Sequence, residues 1–503
     1  MAPFNRFFQY YVKGGNRSVV LPAAGNGYGT SLNNLGSNGN YWSSSFLSSA
    51  NAYNLNFNSG AINPQNNNNR FNGFSVRAVQ HLHSDNEEIA QPHHNGKKKK
   101  TDKEEYMSYT LTKKALLLDL YAAFACAKRH KAKKSYVRKF EKDLDKNLRC
   151  LCDELYSRQY NAEPSSCFIV ERPKKREVFA AQFRDRIVHH LYYNYTHELY
   201  ERTFIKDCYS CIPKRGTHYG IDRLAQHIRK ESRNYKRDCY ALKLDLRGYF
   251  MHINRKKLLK ISVDTLQRMS QHRISKGFKK LWCDILDFSF LSWMTKKIVM
   301  LDPIRNCKFA GRKKDWEGLD TNKSLFKTPK GCGLPIGNLT SQLLSNVYLN
   351  VFDQYMKRVL KCKHYGRYVD DSYVIGESKK WLLSLVSRIR DFLRKRLNVD
   401  LHMGKLQVIS IYYGVEFLGG FVKPFVKYIS NGSLVRMLQN IGTVDYDNAE
   451  SVYRSINSFL GILFHYSSFN IRCEMFLTEN ILKYAPFSKD MTKLYKPIII
   501  SYE

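Results

Sequence analysis

The sequence predicts an α+β fold, an antiparallel sheet with helices packed behind it, and three segments carry that expectation. "CYALKLDLRGYF" (239–250) alternates apolar and polar residues around Asp245 and reads as a strand. "GRYVDDSYVIG" (366–376) has an apolar flank on each side of two acids and reads as a hairpin. "QVISIYYGVEFLGGFV" (407–422) reads as two short strands about a glycine. Between the first two lies "GLPIGNLTSQLLSNVYLNVFDQYMKRVL", a Pro/Gly turn followed by a long helix whose apolar positions 339, 343, 344, 347, 351, 352, 355 and 359 fall on one face. The order is therefore strand, helix, hairpin, helix, strands.

The flanks differ in character. Residues 112–160 show apolar spacings of three and four and predict amphipathic helices, and "NAESVYRSINSFLGILFHY" predicts another near the far end. Residues 81–105 have almost nothing to bury and read as a polar linker. Residues 1–80 are rich in Asn, Gly, Ser and aromatics, with seventeen Asn. Pieces such as "AYNLNFNSG" and "GFSVRAV" suit small strands between turns, the alternative being a poorly ordered, Asn-rich leader.

Charge narrows the partner class. Lys plus Arg outnumber Asp plus Glu by 82 to 44, for a formal net charge of +38, and aromatics make up 14% of 503 residues. That mixture grips phosphates and offers faces on which bases stack, so nucleic acid leads. Residues 1–80 contribute only +5 of the charge, so the basic part begins after the asparagines. The twelve cysteines form no framework: Cys208 and Cys211 have no second pair to complete a zinc site, and the thiols are expected to be reduced. The most apolar stretches are interrupted by Asp119, Asp284 and Asp287, and no signal-peptide core is seen, so a soluble, cytoplasmic chain without membrane contact is expected.

Two adjacent acids in a turn are ordinary, as is "KLDL" alone. Asp245, Asp370 and Asp371, in this order on neighbouring strands, instead suit in-line displacement at phosphorus. There carboxylates hold two Mg²⁺ ions close together, and waters and phosphates fill the rest of each shell.

At that point the motifs resemble those of reverse transcriptases. "RYVDD" (367–371) is similar to the core motif, "LDLRGYF" (244–250) to the first acidic motif, and "GLPIGNLTSQLLSNVYL" (333–349) to the nucleotide-pocket motif between them. "LHMGKLQV" (401–408) and "GVEFLGG" (414–420) resemble the lysine-bearing and primer-grip motifs. "RPKKREVFAAQFRDRIVHH" (172–190) resembles the fingers segment and "CIPKRGTHYGID" (211–222) the block after it. The resemblance covers roughly residues 110–480 and implies a right-hand polymerase fold, with fingers and palm over 106–430 and a thumb over 431–503. It implies catalytic roles for Asp245, Asp370, Asp371 and Lys405, and metal binding by Asp245, Asp370, Asp371 and Leu246, with Mg²⁺ or alternatively Mn²⁺. Nucleotide contacts fall to Lys174, Arg176, Phe250, Ile336, Gly337 and Gln342, Phe250 serving as an aromatic gate against the ribose 2′-hydroxyl. The primer grip falls to Phe417, Leu418 and Gly419. "MGK" departs from the commoner Pro-Lys surroundings of the lysine.

Within that superfamily "IGNLTSQ", with Ile336 where high-fidelity relatives have Gln, and the insert at 301–326 resemble reverse transcriptases of diversity-generating retroelements, as found in Bacteroides-type bacteria and their phages. This implies error-prone copying opposite template adenine. It also implies a structured template RNA, a primer and its cDNA, deoxynucleoside triphosphates, and a small basic accessory variability protein as partners. No RNase H or maturase segment is expected in the roughly 80 residues after the primer grip. A group II intron or retron enzyme, or a non-catalytic RNA-binding protein, are the rival readings. Residues 1–80 resemble the C-terminal part of C-type lectin-like domains. Their asparagines, encoded by AA-pyrimidine codons, suit a translated template repeat, and a fused binding domain is the alternative.

Overall fold

A computed structural model describes residues 109–171, 174–275 and 279–496, and the backbone of seven strands between Phe7 and Asn69. The chain divides into two compact units, Met1–Lys103 and Glu104–Glu503.

In the first unit β1 (Phe7–Tyr11) pairs antiparallel with β2 (Ser18–Pro22), and β3 (Asn26–Tyr28) with β4 (Ser31–Asn33). The meander β5 (Gly39–Phe46), β6 (Asn51–Phe57) and β7 (Ile62–Asn69) follows. The expected strand at 51–57 is present, whereas 73–79 and the 81–105 linker lie outside the described residues. The asparagine run is itself a strand, placing Asn51 opposite Asn69, Asn54 opposite Asn66 and Asn56 opposite Asn63. Low strand propensity is overridden by the ladder, and as an edge strand β7 accommodates Pro64.

The second unit opens with α1 (Lys113–Lys128), α2 (Ser135–Lys142) and α3 (Leu144–Tyr156), as expected from the spacing. There follow β8 (Ser165–Val170), β9 (Arg176–Ala180), α4 (Phe183–Glu201) and α5 (Thr217–Glu231). Next come β10 (Tyr240–Leu244), α6 (Tyr249–His252), α7 (Arg255–Ser270), α8 (Phe288–Met300), β11 (Cys307–Phe309) and α9 (Leu339–Gln354). The hairpin β12 (His364–Tyr368) and β13 (Asp371–Gly376) leads to α10 (Lys379–Phe392) and β14 (Gln407–Ser410). The strands β15 (Val415–Phe417), β16 (Gly420–Lys423) and β17 (Val426–Ile429) form a separate sheet, followed by α11 (Asn431–Ile441), α12 (Ala449–Leu463) and α13 (Phe469–Phe476).

The central sheet has the order β12-β13-β10-β14 and is antiparallel throughout. Period-two alternation sends its side chains into two cores. Leu242, Leu244, Tyr365 and Val374 pack with Leu258 of α7, Leu344 of α9 and Leu385 of α10. Ala241, Tyr373 and Ile375 pack with Leu224 of α5, Val422 of β16 and Ile456 of α12. The late helix therefore covers the second face of the sheet.

Three expectations need correction. The first strand stops at Leu244, because Gly248, at φ 55°, turns the chain into α6, where Tyr249 and Phe250 are helical. Residues 407–422 form three strands, with Gly414 at φ 89° separating β14 from the second sheet. Finally, α9 is buried around most of its circumference, with Ser341, Ser345, Asn346 and Asp353 inside as well as Leu343, Val347 and Phe352. It is packed against α4 and α7 as well as sharing a core with the sheet, while Val359, assigned to its apolar face, is 57% exposed in the closing turn.

The insert at 301–326 is structured. Its strand β11 adds parallel to β8 and completes a three-stranded sheet, β11-β8-β9. Buried Glu177 of β9 fastens it, accepting from Trp316 Nε1 (2.9 Å), Ser324 Oγ (3.0 Å) and the Leu325 amide (2.7 Å). Glu177→Ala leaves three donors without their partner and is expected to cost about 1–3 kcal/mol in urea unfolding, with faster proteolysis within 302–326 as the local readout.

Candidate active site

Asp371 opens β13 and Asp370 occupies the turn before it. Tyr368 pairs with Asp371, so the hairpin loop is just Val369 and Asp370. Val369 has φ 53°, a conformation that costs a β-branched residue roughly 1–2 kcal/mol and must be imposed by its surroundings. Two groups impose it: Ser210 Oγ accepts from the Val369 amide (3.1 Å), and Arg367 Nη1 donates to the Val369 carbonyl (2.9 Å). Arg367 is 1% exposed and forms a bidentate pair with fully buried Asp353 of α9 at 2.8 and 2.6 Å. Its remaining donors reach Asn346 Oδ1 (3.1 Å) and Cys208 Sγ (3.5 Å), so each guanidinium nitrogen is engaged.

Asp245 follows the last residue of β10, the neighbour of β13. Its backbone carbonyl accepts from the His402 amide (2.8 Å), and the Arg247 amide donates to Asp400 O (2.9 Å), an antiparallel bridge centred on Leu246 and Leu401. A leucine can ligate only through its carbonyl, and neither of these two bonds uses that of Leu246. The single helical turn Met403–Lys405 brings Lys405 Nζ to 2.7 Å from Asp245 Oδ2.

The three carboxylates act on one another. Burial, then the Asp371 and Asp245 charges, push the Asp370 carboxyl up to about 6. Burial and Asp245 raise Asp371 as well, opposed by Lys405, Lys243 and Lys174. The bond to Asp245 raises the Lys405 ammonium. Among the described residues no three His, Cys, Asp or Glu side chains converge into a ready metal shell, Asp245 being turned toward Lys405. The donor set still fits a hard divalent cation. Mg²⁺ takes few protein oxygens and completes its shell with water and phosphate, and a cation relieves the repulsion that raises Asp370.

The other expected residues fall into groups. Phe250 and Ile336 pack on one small cluster of Cys167, Phe179, Met251 and Leu325. The loop bearing Ile336 is joined to β9 by the Phe179 amide to Ile336 O (2.8 Å) and the Ala181 amide to Asn338 Oδ1 (3.2 Å). Gly337 lies between these bonds at φ 124°, where a Cβ would come within 2.9 Å of Val178 Cγ1 and 3.0 Å of Phe179 O. Lys174 is exposed yet within electrostatic reach of Asp371, and Arg176 is exposed at the start of β9. Gln342 is exposed on the first turn of α9 and lines a hollow of about 230 Å³ with Tyr193 and Ile212. Phe417 packs edge-on against Tyr373 of the central sheet (5.1 Å), and Leu418 and Gly419, at φ 53° and 83°, turn β15 into β16.

The family described as reverse transcriptase (RNA-dependent DNA polymerase) matches residues 172–421, the span that holds all of these groups. Residues 172–421 are a reverse transcriptase domain. The module is that of RNA-directed DNA polymerases. Protein YkfC of Escherichia coli (strain K12) is 23% identical over 347 residues, covering 62% of this chain and 79% of that one. Among solved structures, a telomerase from Candida albicans in complex with a TWJ fragment of telomeric RNA superposes with TM-score 0.42 at 10% identity, over 67% of this chain and 55% of that one. An apo telomerase from Candida tropicalis gives 0.39 at 11% identity, over 63% and 60%. The chain thus spans little more than half the length of these telomerases. No helix among the described residues is long and apolar enough to cross a membrane.

Sequence reasoning missed Arg367, Asp353, Ser210 and Lys243. A charged residue inside an otherwise apolar strand was the available signal for Arg367, but Asp353, fourteen positions upstream on a helix, carried none. Arg367→Met strands a buried carboxylate in the reverse transcriptase domain and is expected to cost about 3–5 kcal/mol in urea unfolding, with part of the loss recovered in Arg367→Met/Asp353→Leu. Asp370→Asn should have the opposite sign. A carboxyl raised in the folded state penalises folding above about pH 6, and the penalty vanishes below the unfolded value near 4. In metal-free buffer the variant should therefore melt higher than the parent at pH 7.5, the two converging as pH falls below 4.

Proposed function

We propose that this reverse transcriptase copies a structured template RNA into adenine-mutagenised cDNA for a diversity-generating retroelement. The observation that carries the reading is the apolar Ile336 side chain, seated on the Cys167, Phe179, Met251 and Leu325 cluster beside Phe250. A side chain without hydrogen-bonding groups at this point offers the incoming nucleotide no polar anchor. Discrimination that rests on hydrogen bonds left unpaired by the wrong partner is then lost.

In this reading β8 and β9 are fingers, the central sheet is the palm, and α11 to α13 form the thumb over the second face. Asp245, Asp370, Asp371 and the Leu246 carbonyl would hold two divalent ions, Mg²⁺ or Mn²⁺. These, when bound, activate the primer 3′-oxygen and neutralise the departing pyrophosphate. Lys174 and Arg176 pair with the triphosphate, and Phe250 excludes a ribose 2′-hydroxyl. Lys405 holds its Nζ proton through the bond to Asp245 and, on exchanging that partner for the leaving phosphate, delivers it. Phe417, Leu418 and Gly419 seat the primer, with Tyr373 backing Phe417. A small basic accessory protein joins the RNA complex, and residues 1–80 are the template repeat read in frame.

Purified protein given primed template RNA, Mg²⁺ and four deoxynucleotides should make cDNA whose sequenced errors concentrate opposite adenine. Asp370→Asn should yield no product, and Ile336→Gln should lower the adenine error frequency. Protons and the divalent ion compete for the Asp370 carboxylate, which stands at about 6 without metal, so the pH at which product declines should move down as Mg²⁺ is raised. Accurate product from the parent would demote the chain to an ordinary reverse transcriptase. Undiminished product from Asp370→Asn would remove the carboxylate assignment.

A further inference from the structure

A second, strongly cationic hollow opens where the ends of α4, α7 and α9 meet. Its volume is about 920 Å³, and Arg202, Arg268, His272, Arg273 and Arg358 line it with no Asp or Glu among the lining residues. Over the whole chain basic residues exceed acidic ones about two to one, so four guanidiniums with no acid depart from the average surface. The hollow shares no lining residue with the carboxylate site and is set apart from the pocket loop. Asn350, on its wall, lies eleven residues along α9 from Leu339, about 16 Å at helical rise, and further from the loop that bears Ile336.

One arginine builds the wall. Arg202 stacks over Trp282 (5.1 Å), pairs with Glu198, and donates to the carbonyls of Arg273 (3.1 Å) and Ile274, fixing the segment after α7. The other three, Arg268, Arg273 and Arg358, are exposed, and no ion pair engages them among the described residues. The floor is a polar relay with fixed geometry: Asn350 Nδ2 donates to Thr203 Oγ1 (3.1 Å), and Gln354 Nε2 to Thr203 O (3.0 Å) and Asn350 Oδ1 (3.1 Å). Uncompensated, forked cations around a concave polar floor match phosphate oxygens.

The lining also says which polyanion. Met269 is its one large apolar side chain, no Phe, Tyr or Trp lines it, and its one ring, His272, is tied through Nδ1 to the Arg268 carbonyl (2.8 Å), so the wall lacks the row of aromatic faces on which successive unpaired bases stack. A duplex, whose bases are already stacked and which presents phosphates and 2′-hydroxyls, suits such a surface. We propose that this hollow binds a double-stranded stem of the template RNA by its backbone, outside the copying cleft. The inference rests on the reading above that the template is a structured RNA.

The test compares two primed RNAs, one carrying a stem-loop beside its single-stranded copied region and one lacking the stem. Binding is measured without deoxynucleotides over a salt series. Arg268→Gln/Arg273→Gln/Arg358→Gln should weaken the stem-bearing RNA about tenfold or more at moderate salt and flatten its log–log salt slope by about 2–3, the release expected for three phosphate contacts. Binding and extension of the stemless RNA should be unchanged, which also shows the variant is folded. The corresponding triple Arg→Lys variant should retain most of the affinity. Equal binding of the stem-bearing RNA by parent and Gln variant, or equal weakening of both RNAs, would overturn the proposal. Failure of the parent to extend any primer would instead count against the polymerase reading, since the binding comparison needs no catalysis.

Discussion

The buried pair between Arg367 and Asp353 is the constraint on which the site depends. It joins the strand that leads into the carboxylate turn to the helix that follows the pocket loop, and its spare donors hold the turn at Val369 and the amide of Asn346. Asn346 in turn donates to Ser210 O (2.8 Å), and Ser210 Oγ holds the Val369 amide, closing the ring of bonds around the hairpin. Ion pairs in a protein interior rarely contribute much net stability, because desolvation consumes the Coulomb gain. What this one contributes is position: it stabilises a left-handed valine that would otherwise relax and carry Asp370 with it.

The opposite side of the hairpin is held by hydroxyls, an imidazole and an ion pair. Tyr373 of β13 shares its hydroxyl with Tyr209 (2.8 Å) and His227 Nδ1 (3.0 Å), and Asp207 near them pairs with Arg223 (2.8 Å). Burial pushes His227 down to about 3, so this support does not change charge in the neutral range. Of the two sides of the hairpin, it is the carboxylate edge that holds a group raised toward the neutral range, Asp370, with the raised ammonium of Lys405 nearby. Charge that must vary on binding is thus separated from charge that must stay fixed.

Much of this was legible from residue order. Acids flanked by apolar alternation identify β13 and its turn, because a sheet buried on both faces leaves only its ends for carboxylates. The glycines of "GLPIGN" anticipate a tight loop, and Gly337 does lie against β9 where a Cβ has no room. Other features were not legible, for physical reasons. Helical periodicity reports one buried face, and α9 is enclosed on most sides, so its buried Ser345, Asn346 and Asp353 read as solvent-facing. Arginine is seldom fully buried, and nothing in sequence links Arg367 to an acid on another element. The cationic hollow is assembled from helix ends far apart in the chain, each an unremarked basic residue in a basic protein.

The way the insert is fastened has a mechanical consequence. β11 is hydrogen-bonded to β8, β8 to β9, β9 through Glu177 to residues 316, 324 and 325, and β9 again to the loop at Ile336 and Asn338. These connections make strands, insert and pocket loop one body. A displacement of β9 toward the carboxylates carries Ile336 with Arg176, so their mutual geometry is preserved through any closing movement. The same loop is bonded to the α6–α7 segment, the Leu334 amide to Phe250 O (2.9 Å) and the Gly333 amide to Ile253 O (2.9 Å), so altered packing in the insert is passed through the pocket wall to the segment that follows Asp245.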